Sequence, residues 1–347
     1  MGSTVASAAT NAIPATPDTA TAVIAQSMTS RSLAVPPLTG ERITIWAMVP
    51  VEAHRRPASG RRTIVERWQP VQHAIPPIVG LDWLRSRRRD LVVCDVRWYL
   101  DGRSGTAAYA SGHLPGAVFV DLDRWLAAPA TTAEGRHPLP RPDVFADGMR
   151  RAGISNGMTV VAYDDAGGAN AARLVWLLRA CDEHAALLDG GLRAVEEPLS
   201  RVEPVIVPGT FELATWPRAG IARADEVADA AASGGVLIDA RTPARYAGTT
   251  EPVDARAGHI PGAVNVPFAG NLDADGRFLD PAALRARYAP AAADTTPAIV
   301  YCGSGVTACH DLLAMEYAGL PPARLYAGSW SQWSADPARP VAVTAEP

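Results

Sequence analysis

The strongest constraint on the fold is that the chain repeats itself. A strand-like apolar run, Leu91-Val92-Val93-Cys94, ends in Asp95-Val96-Arg97; further on, Val236-Leu237-Ile238 ends in Asp239-Ala240-Arg241. Each is followed by a Gly-His-x-Pro-Gly-Ala-Val segment, at Gly112–Val118 and Gly258–Val264. A second strand run comes next in both copies, Thr159–Tyr163 and Ala298–Tyr301, and a glycine-containing turn then leads into a helix-like segment. The period is about 145 residues, the size of a domain, so the repeat means duplicated domains rather than a solenoid. Runs such as Thr159-Val160-Val161-Ala162-Tyr163 are apolar without alternation. That pattern suits parallel strands covered on both faces. The fold class is therefore α/β: two tandem domains, each a parallel β-sheet flanked by helices.

The repeat divides the 347 residues into a first domain over 76–196, a proline-rich linker over 197–219 and a second domain over 220–340. Residues 1–75 differ from both. An Ala/Thr/Ser/Pro-rich opening leads to a basic patch, Arg55, Arg56, Arg61 and Arg62, broken by Pro57 and Gly60. It shows no sustained helical or strand period, and a disordered extension is expected there. The net charge of −4 gives no basic surface for nucleic acid. No apolar run reaches the roughly 18 residues a membrane span needs. Cys94, Cys181, Cys302 and Cys309 are the only cysteines, with no C-x-x-C pair. So few thiols in so long a chain make no disulfide scaffold and point to a reducing, cytoplasmic setting. All 32 Lys and Arg residues are arginine, which removes any lysine-based chemistry.

The segment Tyr301-Cys302-Gly303-Ser304-Gly305-Val306-Thr307-Ala308 carries the chemistry. A strand ends at Cys302, a glycine turn follows, and a helix begins a few residues on. Gly303 and Gly305 let successive N–H groups curl inward, making an anion-binding nest at the positive end of the helix. A cysteine so placed is expected to be a thiolate nucleophile at neutral pH. A buried strand-end cysteine beside an ordinary turn is the bland alternative, and the repeated context of the loop weighs against it. The first copy has Asp164 where the second has Cys302. A carboxylate is no thiolate nucleophile, so the first domain should be catalytically silent, with Asp164 a helix cap.

The paired D-x-R and G-H-[LI]-P-G-A-V segments, with the CGSGVTA loop in the second copy only, resemble the tandem-domain rhodanese sulfurtransferases over roughly residues 76–336. The resemblance implies two rhodanese folds, an active site facing the inter-domain cleft, and no cofactor or metal. It also implies a ping-pong reaction in which Cys302 takes a sulfane sulfur as a persulfide and passes it to cyanide or a thiol, with thioredoxin among the candidate acceptors. The loop is similar to that of the 3-mercaptopyruvate sulfurtransferases. The thiosulfate-using branch instead has cations where this chain has Gly303 and Ser304. 3-Mercaptopyruvate is therefore the expected donor, with thiosulfate as a second substrate.

By the same resemblance, Arg245 and Arg256 are expected to bind the substrate carboxylate, and the backbone of Gly303, Gly305, Val306 and Thr307 to cradle the sulfur. Ser304 and His113 are expected to form a relay to the substrate, the carboxylate behind the histidine being unassigned. His259, the repeat partner of His113, reads as structural. Arg97 and Arg241 are expected to pair with Asp95 and Asp239. Two other readings compete. A cysteine phosphatase needs arginine six places after the cysteine, where Ala308 stands. A persulfide carrier or docking module would share the same thiol, and turnover alone separates it from an enzyme. Cys309-His310 lacks metal-ligand spacing, and Cys94, Cys181 and Cys309 read as core.

Overall fold

The computed structural model describes residues 73–291 and 297–344, with the backbone of two strands before them. Those strands, β1 (Ala47–Val51) and β2 (Val65–Gln69), pair antiparallel. At five residues each they are too short to register as a sequence period. The rest of the extension up to residue 72 lies outside the described residues. The described residues all fall within one compact unit, Arg42–Pro347.

Two five-stranded sheets follow, each wholly parallel. The first contains β3 (Ile78–Val79), β4 (Leu91–Asp95), β5 (Val118–Phe119), β6 (Thr159–Tyr163) and β7 (Ala185–Leu188) in the order β3-β7-β6-β4-β5. The second contains β8 (Ile221–Ala222), β9 (Leu237–Asp239), β10 (Val264–Asn265), β11 (Ile299–Tyr301) and β12 (Arg324–Tyr326) in the order β8-β12-β11-β9-β10. Taken strand for strand, the two orders are the same, so the repeat in sequence is a repeat in topology. Helices α1 (Leu81–Arg87), α2 (Gly105–Ser111), α3 (Pro142–Arg151) and α4 (Ala171–Ala180) serve the first sheet. Helices α5 (Ala224–Ser233), α6 (Pro243–Ala247), α7 (Pro281–Tyr288), α8 (Thr307–Tyr317) and α9 (Ser329–Ala335) serve the second.

The D-x-R segments form the expected structural pairs. Arg97 Nη2 lies 2.7 Å from Asp95 Oδ2 and Arg241 Nη2 2.7 Å from Asp239 Oδ2, each guanidinium also donating to a glycine carbonyl, Gly112 or Gly258. An ion pair buried this deeply is tolerable because its remaining donors find acceptors. Each pair ties the end of a central strand to the Gly-His-x-Pro loop.

The domains meet through α4 and α8, the equivalent helices of the two copies. Val160 and Leu174 of the first domain share one apolar core with Val300 and Leu313 of the second. Polar links cross alongside it. Arg179 on α4 pairs with Glu316 on α8, and the His310 ring Nε2 sits 3.1 Å from the Gly167 carbonyl oxygen. The proline-rich connection runs along the first domain, where the Gly209 N–H donates to the Arg150 carbonyl and buried Phe211 stands edge-on to Phe145. No helix among the described residues is long and apolar enough to cross a membrane.

Candidate active site

Cys302 follows the last residue of β11, and only 2% of it is exposed. The start of α9 pins the loop from behind. The Cys302 N–H donates to Ser329 Oγ (3.1 Å), while the N–H groups of Trp330 and Ser331 donate to the carbonyls of Cys302 (3.0 Å) and Gly303 (2.9 Å). Gly305 turns the chain with φ +79°, and a Cβ there would run into the Ala327 carbonyl. Its N–H donates to Cys302 Sγ at 3.1 Å. Among the described residues the amides of Gly303, Ser304, Val306 and Thr307 donate to no protein acceptor. The sequence expectation of a nest around the sulfur thus finds one amide on Sγ and four with capacity to spare.

The first domain supplies a control for this geometry. Asp164 occupies the place of Cys302 in the equivalent loop. Its Oδ1 accepts the N–H groups of Ala166 and Gly168 (2.8 Å each), and its Oδ2 those of Asn170 (2.8 Å) and Ala171 (2.9 Å). Burial pushes this carboxyl above its ordinary pKa, and the four amides pull against that shift. The same backbone curl therefore surrounds the strand-end side chain in both copies. In one it is a built-in carboxylate, which goes beyond the helix cap expected from sequence.

Two guanidinium groups flank Gly303, the residue after Cys302. A Cβ built on Gly303 would lie 2.9 Å from Arg136 Nη2 and 3.2 Å from Arg245 Nη1, so both forks press on the loop and glycine leaves them room. Arg245 comes from α6. Glu251 aligns it, with Arg245 Nη2 2.7 Å from Oε1 and Nε 3.2 Å from Oε2; Glu251 Oε2 also accepts from Arg241 Nη1. Burial works against this carboxylate, but the Arg245 bond and two backbone amides hold its pKa below the ordinary value. Arg136 reaches across from the first domain. Asp254 joins the two guanidiniums, accepting from Arg136 Nη1 on Oδ1 and from Arg245 Nη2 on Oδ2 at 2.9 Å.

Arg245 is therefore where the sequence places it, and Arg256 is not. The Arg256 guanidinium donates to the carbonyls of Ser334 (2.8 Å), Trp333 (3.0 Å), Asp336 (2.6 Å) and Arg339 (3.0 Å). It satisfies the orphan carbonyls at the end of α9, where a cation also complements the helix dipole. It has no free face for a substrate. Arg136, which sequence reasoning missed, takes the second cationic position.

His113 is also corrected. It is fully buried, stacked on Tyr109 with ring centroids 3.9 Å apart, its Nδ1 2.9 Å from the Tyr109 carbonyl oxygen and its Nε2 3.2 Å from that of Val202. His259 repeats the arrangement on Tyr246. Both rings brace their own domain. The histidine at Ser304 is His137, whose Nδ1 lies 2.8 Å from Ser304 Oγ. Asp123 Oδ1 stands 3.6 Å from the far nitrogen of His137, and Trp98 Nε1 donates to the other oxygen of Asp123 at 2.8 Å. Burial first, then the nearby Arg173, lowers the His137 pKa to about 4. The ring is neutral at pH 7, and with Nε2–H toward Asp123 its Nδ1 accepts the serine O–H. The missed residues have a signal: they lie in the connection between β5 and α3, which is longer than its counterpart between β10 and α7.

Arg173, buried on α4, locks this connection to the loop. It donates from Nη1 to the Gly305 carbonyl (2.9 Å), from Nη2 to that of His137 (3.2 Å) and from Nε to that of Leu126 (3.2 Å). Cys309, one helical face below, donates its S–H to the Gly305 carbonyl at 3.3 Å, and burial pushes its pKa up to about 12. It stays a thiol. The assembled group is thus a thiol under an amide, two guanidiniums beside Gly303, and a hydroxyl, an imidazole and a carboxylate in line. Such a group can bind a carboxylate, hold charge on sulfur and move a proton.

Comparison with known proteins agrees with this architecture. The rhodanese-like domain model matches twice, at residues 81–198 and 223–336. A probable 3-mercaptopyruvate sulfurtransferase of Pseudomonas aeruginosa is 44% identical over 267 residues, covering 74% of this chain and 94% of the relative. A putative thiosulfate sulfurtransferase of Mycobacterium tuberculosis is also 44% identical, over 255 residues, covering 72% and 89%. Among solved structures, the 3-mercaptopyruvate sulfurtransferase of Escherichia coli superposes with a TM-score of 0.65 at 32% identity, covering 74% of this chain and all of the other. With two copies of the rhodanese domain, a single cysteine loop and relatives aligned along nearly their whole length, the chain belongs to the tandem-domain rhodanese sulfurtransferases.

Proposed function

We propose that this enzyme moves sulfane sulfur from 3-mercaptopyruvate through a Cys302 persulfide to a thiol or to cyanide, in a reducing, cytoplasmic setting. The observation that carries the donor choice is the pair Arg136 and Arg245 at Gly303, whose charges are matched by Asp254 and Glu251. A carboxylate finds two planar forks for bidentate bonding there, while the surroundings stay close to neutral.

The geometry supports the following course. The donor carboxylate sits against the two guanidiniums, with its sulfur toward Cys302. The Cys302 thiolate attacks that sulfur, the S–S bond forms, and the carbon–sulfur bond breaks with its electron pair passing to the carbon. The donor's thiol proton ends on that carbon through Ser304 and His137, giving pyruvate and leaving Cys–S–S⁻. The Gly305 N–H and the spare amides of the loop can carry the persulfide charge. A second thiolate, free or on a protein such as thioredoxin, then takes the outer sulfur and restores Cys302.

The test is sulfur transfer to cyanide from 3-mercaptopyruvate and from thiosulfate, with Cys302→Ser as control. A large preference for mercaptopyruvate and an inactive variant are expected. Thiosulfate as the equal or better donor overturns the donor assignment; turnover from neither leaves a persulfide carrier or docking module.

A further inference from the structure

Asp254 holds both substrate-facing guanidiniums, and no step of the reaction above uses it. Its side chain is only 4% exposed, whereas those of Arg136 and Arg245 keep 27% and 19%. The carboxylate is therefore more deeply buried than the two forks it joins, while Arg136 Nη2 and Arg245 Nη1 lie beside Gly303. Arg136 Nε is buried and has no acceptor among the described residues, so this fork has a bond left to make. Arg136, Arg241 and Arg245 stand against Asp239, Glu251 and Asp254, three cations against three anions.

We propose that Asp254 determines which donors the site accepts, by cancelling one unit of positive charge beside Cys302 so that a singly charged 2-oxo acid is taken in preference to the thiosulfate dianion. The inference rests on the persulfide-transfer reading above. Its physical basis is the charge on the donor. Removing the Asp254 charge favours every anionic donor, but a dianion gains about twice what a monoanion gains. At separations of several ångströms and an effective dielectric near 20, one extra unit of donor charge is expected to be worth about tenfold or more.

The experiment compares kcat/KM for thiosulfate and 3-mercaptopyruvate, with cyanide as acceptor, in the wild type, Asp254→Asn, Arg136→Gln and the double variant. The ratio of thiosulfate to mercaptopyruvate should rise about tenfold or more in Asp254→Asn. It should fall in Arg136→Gln, where a cation is lost instead, and return to within about threefold of wild type in the double variant, where the two changes cancel. A ratio that moves less than about threefold in Asp254→Asn, or in the same direction in both single variants, overturns the proposal. If Asp254→Asn does not fold, Arg136→Gln still decides, because a ratio that fails to fall refutes it. A wild type that uses neither donor overturns the persulfide-transfer reading itself, and this inference with it. A wild type that strongly prefers mercaptopyruvate, combined with unmoved ratios, overturns this inference alone.

Discussion

Adding one methyl group at Gly303 separates substrate binding from folding. A Cβ there would stand 2.9 Å from Arg136 Nη2 and 3.2 Å from Arg245 Nη1. Both atoms are the far ends of long side chains, so they can give way by a few tenths of an ångström without moving backbone. Gly303 is not among the glycines with positive φ, so alanine meets no backbone strain, and its lower unfolded-state entropy offsets part of any cost. Stability to urea should therefore stay within about 1 kcal/mol of wild type. The guanidiniums, by contrast, must move off the position in which they grip a carboxylate. Losing the geometry of one charge-assisted contact costs about 1.5–3 kcal/mol, or about 10- to 150-fold in kcat/KM for mercaptopyruvate. The companion variant Gly305→Ala reverses the pattern. Its φ of +79° and the Ala327 carbonyl in its path put the cost into folding, about 1–3 kcal/mol. Steady-state kinetics beside urea melts of the two variants checks both halves. Wild-type kinetics in Gly303→Ala would refute the placement of the arginines at the donor.

Three further outcomes are expected. His137→Ala should lower kcat by about 10²-fold or more, while His113→Ala should lower the melting temperature and leave the kcat of the folded fraction near wild type; the reverse result would restore His113 to the site. His137 has its pKa lowered to about 4, so the neutral ring the relay needs persists above that pH and is lost as pH falls through it. The acid limb of kcat/KM should then lie near pH 4, and a limb near 6.5 would contradict the buried, neutral imidazole. Asp164→Ala leaves four amides without their acceptor and should cost about 3 kcal/mol or more in urea unfolding; a loss under about 1 kcal/mol would mean that water or backbone adjustment satisfies them.

What the sequence revealed was whatever is local or repeated. The Asp–Arg pairs and the glycine turn recur in both copies, and Cys302 stands at the strand end of the second, so the topology and the nucleophile could be read directly. Arg245 was legible through the resemblance, as the arginine of Ala244-Arg245-Tyr246 four residues after Arg241. His113 also came from the resemblance, and its recurrence as His259 is the mark of the brace that both domains need. The residues that complete the site, Asp123, Arg136 and His137, lie where the copies differ, and their place opposite Ser304 depends on how α4 and α8 pack. Arg256 shows the remaining limit. It is two residues beyond Asp254, yet the chain has turned by then, and the end of α9 offers it four carbonyls. Spacing along the chain cannot report that competition.

Arg173 gives the assembly a direction in time. Its guanidinium joins the carbonyls of Leu126 and His137, made early in synthesis, to that of Gly305, 132 residues beyond Arg173 itself. The loop around the nucleophile is clamped from behind by Ser329, Trp330 and Ser331, later still. When Cys302 leaves the ribosome, the first domain is already complete and waiting, but the α9 clamp has not yet emerged. The thiol thus emerges on an unclamped loop, and the clamp closes only when the last helix docks. A nascent or truncated chain lacks the bonds that hold the Cys302 loop from behind, and the loop is fixed only once α9 has docked.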